Sequence, residues 1–274
     1  MVRIEELKRI AQRINELTYS DRRPEFFILK DKKNKYSEEN FYPLSEQFRD
    51  NIWFIDGSNN KLWENSLIRI DKIRIVAVQY PTHELRVIEG YAFQQGECIE
   101  GIGAIRELLK EYHGTIEDYR SRLEAILASR LGIVVMDGSL QDMGNETIIG
   151  ISKDTGIVMD NNIPATVFLS RRQGPWIYRD AIIQENIRTG FIRLAKNSRI
   201  YRIDYHEFEL ARSIASRLRE MNSLKLGYPW PLIEAHRIAV ITNREIAMDR
   251  ALLRGMIKDV EQLEDIHDIF EELT

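Results

Sequence analysis

The 274-residue chain has one cysteine, Cys98, which excludes an intrachain disulfide and any zinc site built from several cysteines. A lone cysteine of this kind is expected to be a small core residue rather than a nucleophile. No apolar run approaches the roughly 20 residues that cross a bilayer, and the opening MVRIEELKRIAQRI lacks the charged-then-apolar order of a signal peptide. A cytoplasmic protein is expected. There is no fixed-period repeat, no low-complexity tract and no GxxxxGK phosphate loop. Positive charge is not in surplus either. The formal charge of −4 means that any nucleic acid is held in a local groove, not by a uniformly basic surface. What is present is the composition of an ordinary folded chain, 43% hydrophobic and 30% charged, so disorder is excluded.

Leu7, Ile10, Ile14 and Leu17 recur at helical steps and predict an N-terminal amphipathic helix. The polar stretch that follows reads as an irregular arm, so residues 1–48 are set apart from a main domain over 49–257. Three β-rich runs come next, IWFID, SLIRIDKIRIVAVQY and ELRVIEGYAF, in the order of an antiparallel meander. Ile116, Tyr119, Leu123, Ile126, Leu127 and Leu131 predict a helix stopped by Gly132, and the wholly apolar IVVMD behind it predicts a strand covered on both faces. Further strands are expected over TIIGISK, GFIRLAK and SRIYRID, then a helix over EFELARSIASRLREM and another opened by Pro231. Val260, Leu263, Ile266, Ile269 and Leu273 predict a closing acidic amphipathic helix over 258–274. This order fits an α/β fold, a ribonuclease-H-like mixed sheet with flanking helices and added N- and C-terminal helices.

Two apolar runs end in the same triplet, Asp56-Gly57-Ser58 and Asp137-Gly138-Ser139. Glycine lets a strand stop sharply and present the aspartate at its mouth, although Asp-Gly is also a common turn. Two such carboxylates brought close together repel, and a divalent cation is the natural compensator. Hard oxygen donors select Mg²⁺ or Mn²⁺, which can activate a water and stabilise the leaving oxygen of a phosphodiester. A third carboxylate is needed, and the helix before the second strand offers Glu117 and Glu124. Helix geometry favours Glu117. Lys153 follows IIGIS as a candidate phosphate contact, and Arg171, Arg172, Arg188, Arg193, Lys196, Arg199 and Arg202 could track a backbone or simply face water. The segment GYPWPLIEAHR brings Tyr228 and His236 to a helix entry, where they could serve a phosphate or a metal-bound water, or form an aromatic corner.

Taken together, FIDGS at 54–58, VVMDGSL at 134–140, GISK at 150–153 and YPWPLIEAHR at 228–237 resemble the NurA nuclease family over residues 50 to 240. That resemblance implies a homodimeric, Mn²⁺- or Mg²⁺-dependent nuclease, with two ions, acting as a 5′ to 3′ exonuclease and a single-strand endonuclease. It also implies partnership with the HerA hexameric translocase in processing single- and double-stranded DNA ends. Carried to these positions, it implies metal binding by Asp56, Asp137 and a helix glutamate, for which RLEAILA favours Glu124 with Glu117 in reserve, and active-site roles for Tyr228, His236 and Lys153. His236 is counted with the metal set. Two rivals remain: an actin-like phosphotransferase, which lacks a second glycine-rich adenosine motif here, and a non-catalytic DNA-end or translocase adaptor, which would not need to retain costly buried charge.

Overall fold

A computed structural model describes residues 25–27, 34–44, 48–140, 145–153, 156–159, 163–221 and 227–256. The expected N-terminal and C-terminal amphipathic helices lie outside them. The chain divides into two compact units, Met1–Asp50 with Met136–Trp230 and Asn51–Val135 with Pro231–Thr274.

The second of these units is built on a meander. Strands β4 (Ile52–Glu64), β5 (Ile68–Tyr80), β6 (Leu85–Gln95), β7 (Cys98–Gly103) and β8 (Glu111–His113) pair antiparallel, each with the next. The β4 to β6 meander follows from its β-branched, alternating sequence. Strands β7 and β8 are additional to the expected set. Cys98 opens β7 and is exposed, not buried as expected, because alternation along the strand buries Ile99 and turns Cys98 to the opposite, open face. Helix α1 (Ile116–Ser129) starts at a Thr115 cap whose side chain accepts from the Asp118 amide, and it buries Ile116, Tyr119 and Leu123 against the sheet. Strand β9 (Ile133–Asp137) begins in this unit.

The other face of this sheet is covered by α4 (Trp230–Ala239), whose Ala235 and Ala239 pack on Val76 and Val78. Pro231 lies in its first turn, as expected. The helical pattern then breaks at Ile241, and a separate helix, α5 (Asn243–Arg254), begins. Its start is a capping box in which Thr242 and Glu245 satisfy each other's backbone amides. Glu245 also pairs with Arg74 of β5 at 2.5 Å.

Hydrogen bonding to Arg74 first, and to Thr242 second, holds the Glu245 carboxyl at about 2, below its ordinary 4.5. A depressed carboxyl contributes stability above its unfolded value and loses it as pH falls through the folded one. Glu245→Gln keeps an oxygen for the Thr242 amide but loses the charge facing Arg74, so it should lower the melting temperature by about 1–4 °C at pH 7, as expected for a pair worth about 0.5–1 kcal/mol in a protein of this size. The gap from wild type should close between pH 5 and pH 2. A gap independent of pH would place the stabilisation elsewhere.

In the first unit, β12 (Trp176–Gln184), β13 (Ile187–Arg193), β14 (Tyr201–Tyr205) and β10 (Ile148–Ser152) form an antiparallel series in that order. The described residues before 48 include strands that the polar composition of the arm did not suggest. Its strand β3 (Phe41–Pro43) pairs with β12, and β1 (Glu25–Phe27) pairs with both β2 (Asn34–Lys35) and β11 (Val158–Met159). The scattered aromatics explain this. Phe41 packs edge-on against Trp176 and Tyr178 at 4.9 Å, and Tyr36 against Phe168 at 5.0 Å, on a core that includes Met159, Leu169 and Phe191. Helices α2 (Ala165–Leu169) and α3 (Phe208–Glu220) complete the unit. The architecture is thus mixed α/β with sheets flanked by helices, as the sequence order predicts.

Candidate functional site

The two Asp-Gly-Ser triplets do different things. Asp137 ends β9, and Gly138 follows at φ +128°, a conformation that favours glycine, so this strand stops as expected. Asp56 does not end a strand. β4 runs on for eight residues to Glu64, and Gly57 pairs regularly with Ile75 inside the ladder. The expected turn is absent because Asn59 and Asn60, which look like turn residues, are held in the strand. Asn59 donates to Asp71 at 2.7 Å and Asn60 to the Ile241 carbonyl at 3.1 Å.

Alternation along β4 then sorts the site residues. Asp56 stands opposite Val76, on the face covered by α4. There Asp56 Oδ2 meets His236 Nδ1 at 2.7 Å, while its Oδ1 accepts from the Gly57 amide at 2.9 Å. Asp56 is buried and His236 exposed, so the carboxylate fixes the ring from below. A protonated Nδ1 in that bond leaves Nε2 as the nitrogen that can take a proton or ligate a cation.

Gly57 faces α1, and its missing side chain has a clear reason. A Cβ there would lie 2.4 Å from Glu124 Oε1 and 3.0 Å from its Cδ. The Glu124 carboxylate therefore occupies the space above Gly57. Arg120 lies one turn earlier, donating to the Gly57 carbonyl at 2.7 Å and facing Glu124 Oε1 at 3.5 Å. Glu124 is buried, whereas Glu117 is exposed and pairs with Arg69 at 3.1 Å. The helix is therefore phased to deliver Glu124, not Glu117, to the triplet, contrary to the geometric expectation.

In the first unit, Asp137 collects the other expected residues. Its Oδ1 accepts from the Tyr228 hydroxyl at 2.8 Å and its Oδ2 pairs with Lys153 Nζ at 2.5 Å. The Lys153 ammonium also lies 4.9 Å from the centroid of the Tyr228 ring, which packs against Tyr201 at 5.0 Å. Tyr228 is buried and Lys153 half exposed, so the tyrosine locates the carboxylate and the lysine faces outward. Asp204, fully buried, supports the loop beyond Asp137. It accepts from the Leu140 amide at 3.2 Å, and its charge is held by Thr189 at 2.7 Å and Arg202 at 2.8 Å.

The six expected residues thus form two sets: Asp56, Glu124 and His236 about Gly57, and Asp137, Lys153 and Tyr228 beside Gly138. Arg120 and Asp204 were missed. Arg120 was legible as an i, i+4 partner of Glu124, while nothing in SRIYRID marks Asp204 as inward. Much of the supposed basic track is used internally. Arg172 pairs with Glu38, Arg188 with Asp180 and Arg202 with Asp204, and Arg193 donates to backbone carbonyls of Ser170 and Arg172. Lys196 and Arg199 are exposed.

A mixed α/β body carrying acid-centred clusters at strand ends and helix faces has the fold of known nucleases. The NurA nuclease from Sulfolobus solfataricus superimposes with a TM-score of 0.58 at 14% identity, over 92% of each chain. A second NurA structure gives 0.58 at 10% identity, over 94% of this chain and 98% of that one. A NurA structure with manganese gives 0.51 at 10% identity, over 93% and 99%. At these identities the likeness is one of fold. No curated protein matches the sequence. Residues 160–241, which include Tyr228 and His236, match the family model of the NurA domain. The chain is thus similar to NurA proteins in fold, and over residues 160–241 also in sequence.

Proposed function

We propose that the protein is a divalent-metal-dependent deoxyribonuclease, with 5′ to 3′ exonuclease and single-strand endonuclease activity on DNA ends. One observation carries this reading. The aspartates of both triplets take hydrogen bonds from a single short segment, Asp137 from Tyr228 and Asp56 from His236, eight residues further on. The proposed ligands are Asp56, Glu124, Asp137 and His236, and Glu124 lies over Gly57, next to Asp56 in the strand. Carboxylates and an imidazole suit Mn²⁺ or Mg²⁺, and the NurA structure with manganese supports that choice. A bound pair of ions would supply Lewis acidity toward a phosphodiester and lower the pKa of a water.

The protein's own groups have separate tasks. Asp56 orients His236 through Nδ1, which leaves Nε2 to ligate the cation. Lys153, half exposed beside Asp137, offers positive charge to a non-bridging phosphate oxygen. Tyr228 holds the Asp137 carboxylate in register. The nuclease domain is proposed to span residues 49–257, and the protein to act as a homodimer with a HerA-type hexameric translocase.

The test is cleavage of end-labelled single- and double-stranded DNA. Products should appear with Mn²⁺ or Mg²⁺ and be lost with chelator, with 5′ labels released first. Hydrolysis of ATP with the DNA left intact in Mn²⁺ would refute the reading.

A further inference from the structure

Arg120 bridges a backbone group and a carboxylate of the cluster about Gly57. Its Nη1 donates to the Gly57 carbonyl at 2.7 Å, and its Nε faces Glu124 Oε1 at 3.5 Å. Those are the strand peptide next to Asp56 and the acid that fills the gap left by glycine. A second fastening lies three residues earlier on α1. Glu117 pairs with Arg69 at 3.1 Å, and Arg69 grips the fully buried Asp71 at 2.8 Å. Asp71 in turn accepts from Asn59 of β4. One stripe of α1 is thus tied to the strand at Glu117 and again at Arg120, and the next residue on that stripe is Glu124.

We infer that Arg120 is a positioning residue that sets how far the Glu124 carboxylate reaches past Gly57, orienting it before a divalent ion arrives. This rests on the reading that Glu124 belongs to the metal centre. The planar guanidinium suits the task because its donors are fixed relative to one another, so a carbonyl and a carboxylate can be held at a set separation. Lysine carries the same charge at a single point and cannot span the two.

An arginine here has two effects of opposite sign. Holding Glu124 in place strengthens ion binding, whereas its positive charge opposes a cation. Arg120→Lys keeps the charge and removes the bridge, so it isolates positioning, and Arg120→Gln removes both. Supporting groups around metal ligands typically govern affinity by factors of about 10–100, so Arg120→Lys should raise the Mn²⁺ concentration for half-maximal DNA cleavage about tenfold. The rate at saturating Mn²⁺ should stay within about threefold of wild type, because an ion that does bind restores the geometry. Arg120 is partly exposed, so thermal melting of both variants should lie close to wild type.

The outcomes separate cleanly. If Arg120→Lys shows the wild-type Mn²⁺ requirement while Arg120→Gln needs less Mn²⁺, the residue acts through charge alone and the positioning role is refuted. A wild-type requirement in both variants refutes any role. Wild-type protein that cleaves nothing with Mn²⁺ fails the nuclease reading itself, which the wild-type control shows before any variant is compared.

Discussion

Asp137→Asn is expected to lower metal-dependent DNA cleavage by about a thousandfold or more while leaving the melting temperature within a few degrees of wild type. The size follows from what the carboxylate is proposed to do. A metal's stabilisation of developing charge is worth several kcal/mol, and about 4 kcal/mol corresponds to roughly three powers of ten in rate. An amide has no charge to offer a cation, and its NH₂ group would meet the ammonium of Lys153, now 2.5 Å from Oδ2. The fold has little to lose. Tyr228 can still donate to the remaining carbonyl oxygen, and Lys153 is half exposed, so its lost partner is replaced by water. Loss of cleavage together with a large fall in melting temperature would instead make Asp137 a structural residue. Cleavage that survived the substitution would move the site elsewhere.

How much of this was legible depended on whether a residue's environment was local. The β4 to β6 meander, α1, β9 and α3 follow from periodicity alone, because each buries one face or both along an uninterrupted pattern. The second half of β4 could not be read that way. Asn-Asn-Lys after Asp-Gly-Ser has the composition of a turn, and it is held extended by Asp71 and the Ile241 carbonyl, partners remote in sequence. Tertiary bonding overrode local preference, and with it the idea that both triplets end strands. The same holds for β12, whose Trp-Ile-Tyr run is interrupted by Arg179 and Asp180. Asp180 sits at φ +52° with its amide on the Tyr205 hydroxyl, a bulge that only β13 and the neighbouring tyrosine make sense of.

The candidate site was legible as a list of residues and not as an arrangement. Motif likeness supplied Asp56, Asp137, Lys153, Tyr228 and His236, and the structure assigns each a partner. The choice between Glu117 and Glu124 turned on helix phase, which depends on where Thr115 caps α1 and how Tyr119 and Leu123 bury. Given that phase, Glu117 falls at Arg69, near the sheet's exposed side, and Glu124 falls at Gly57.

Gly57→Ala tests that arrangement directly, and a large effect is expected from a single methyl group. In an ordinary strand, alanine would be as good as glycine or better, since glycine loses more conformational entropy on folding. Here the new Cβ would lie 2.4 Å from Glu124 Oε1, 3.0 Å from Cδ and 3.1 Å from Cγ. The obstructing group is the end of a flexible side chain, so the chain should fold, with Glu124 swung away and stability reduced by about 1–3 kcal/mol for the displaced contacts. Activity should suffer more than stability. If Glu124 is a ligand of the centre, its displacement should cut cleavage by about two orders of magnitude, and excess Mn²⁺ should recover part of it. The double variant Gly57→Ala with Glu124→Ala separates the two effects. Removing the glutamate relieves the overlap, so the melting temperature should rise above that of Gly57→Ala alone, while cleavage should fall no further, because the carboxylate was already out of place. Strictly additive losses in activity would mean that Glu124 keeps its function when Gly57 carries a side chain, and the space above this glycine would then have no bearing on the chemistry.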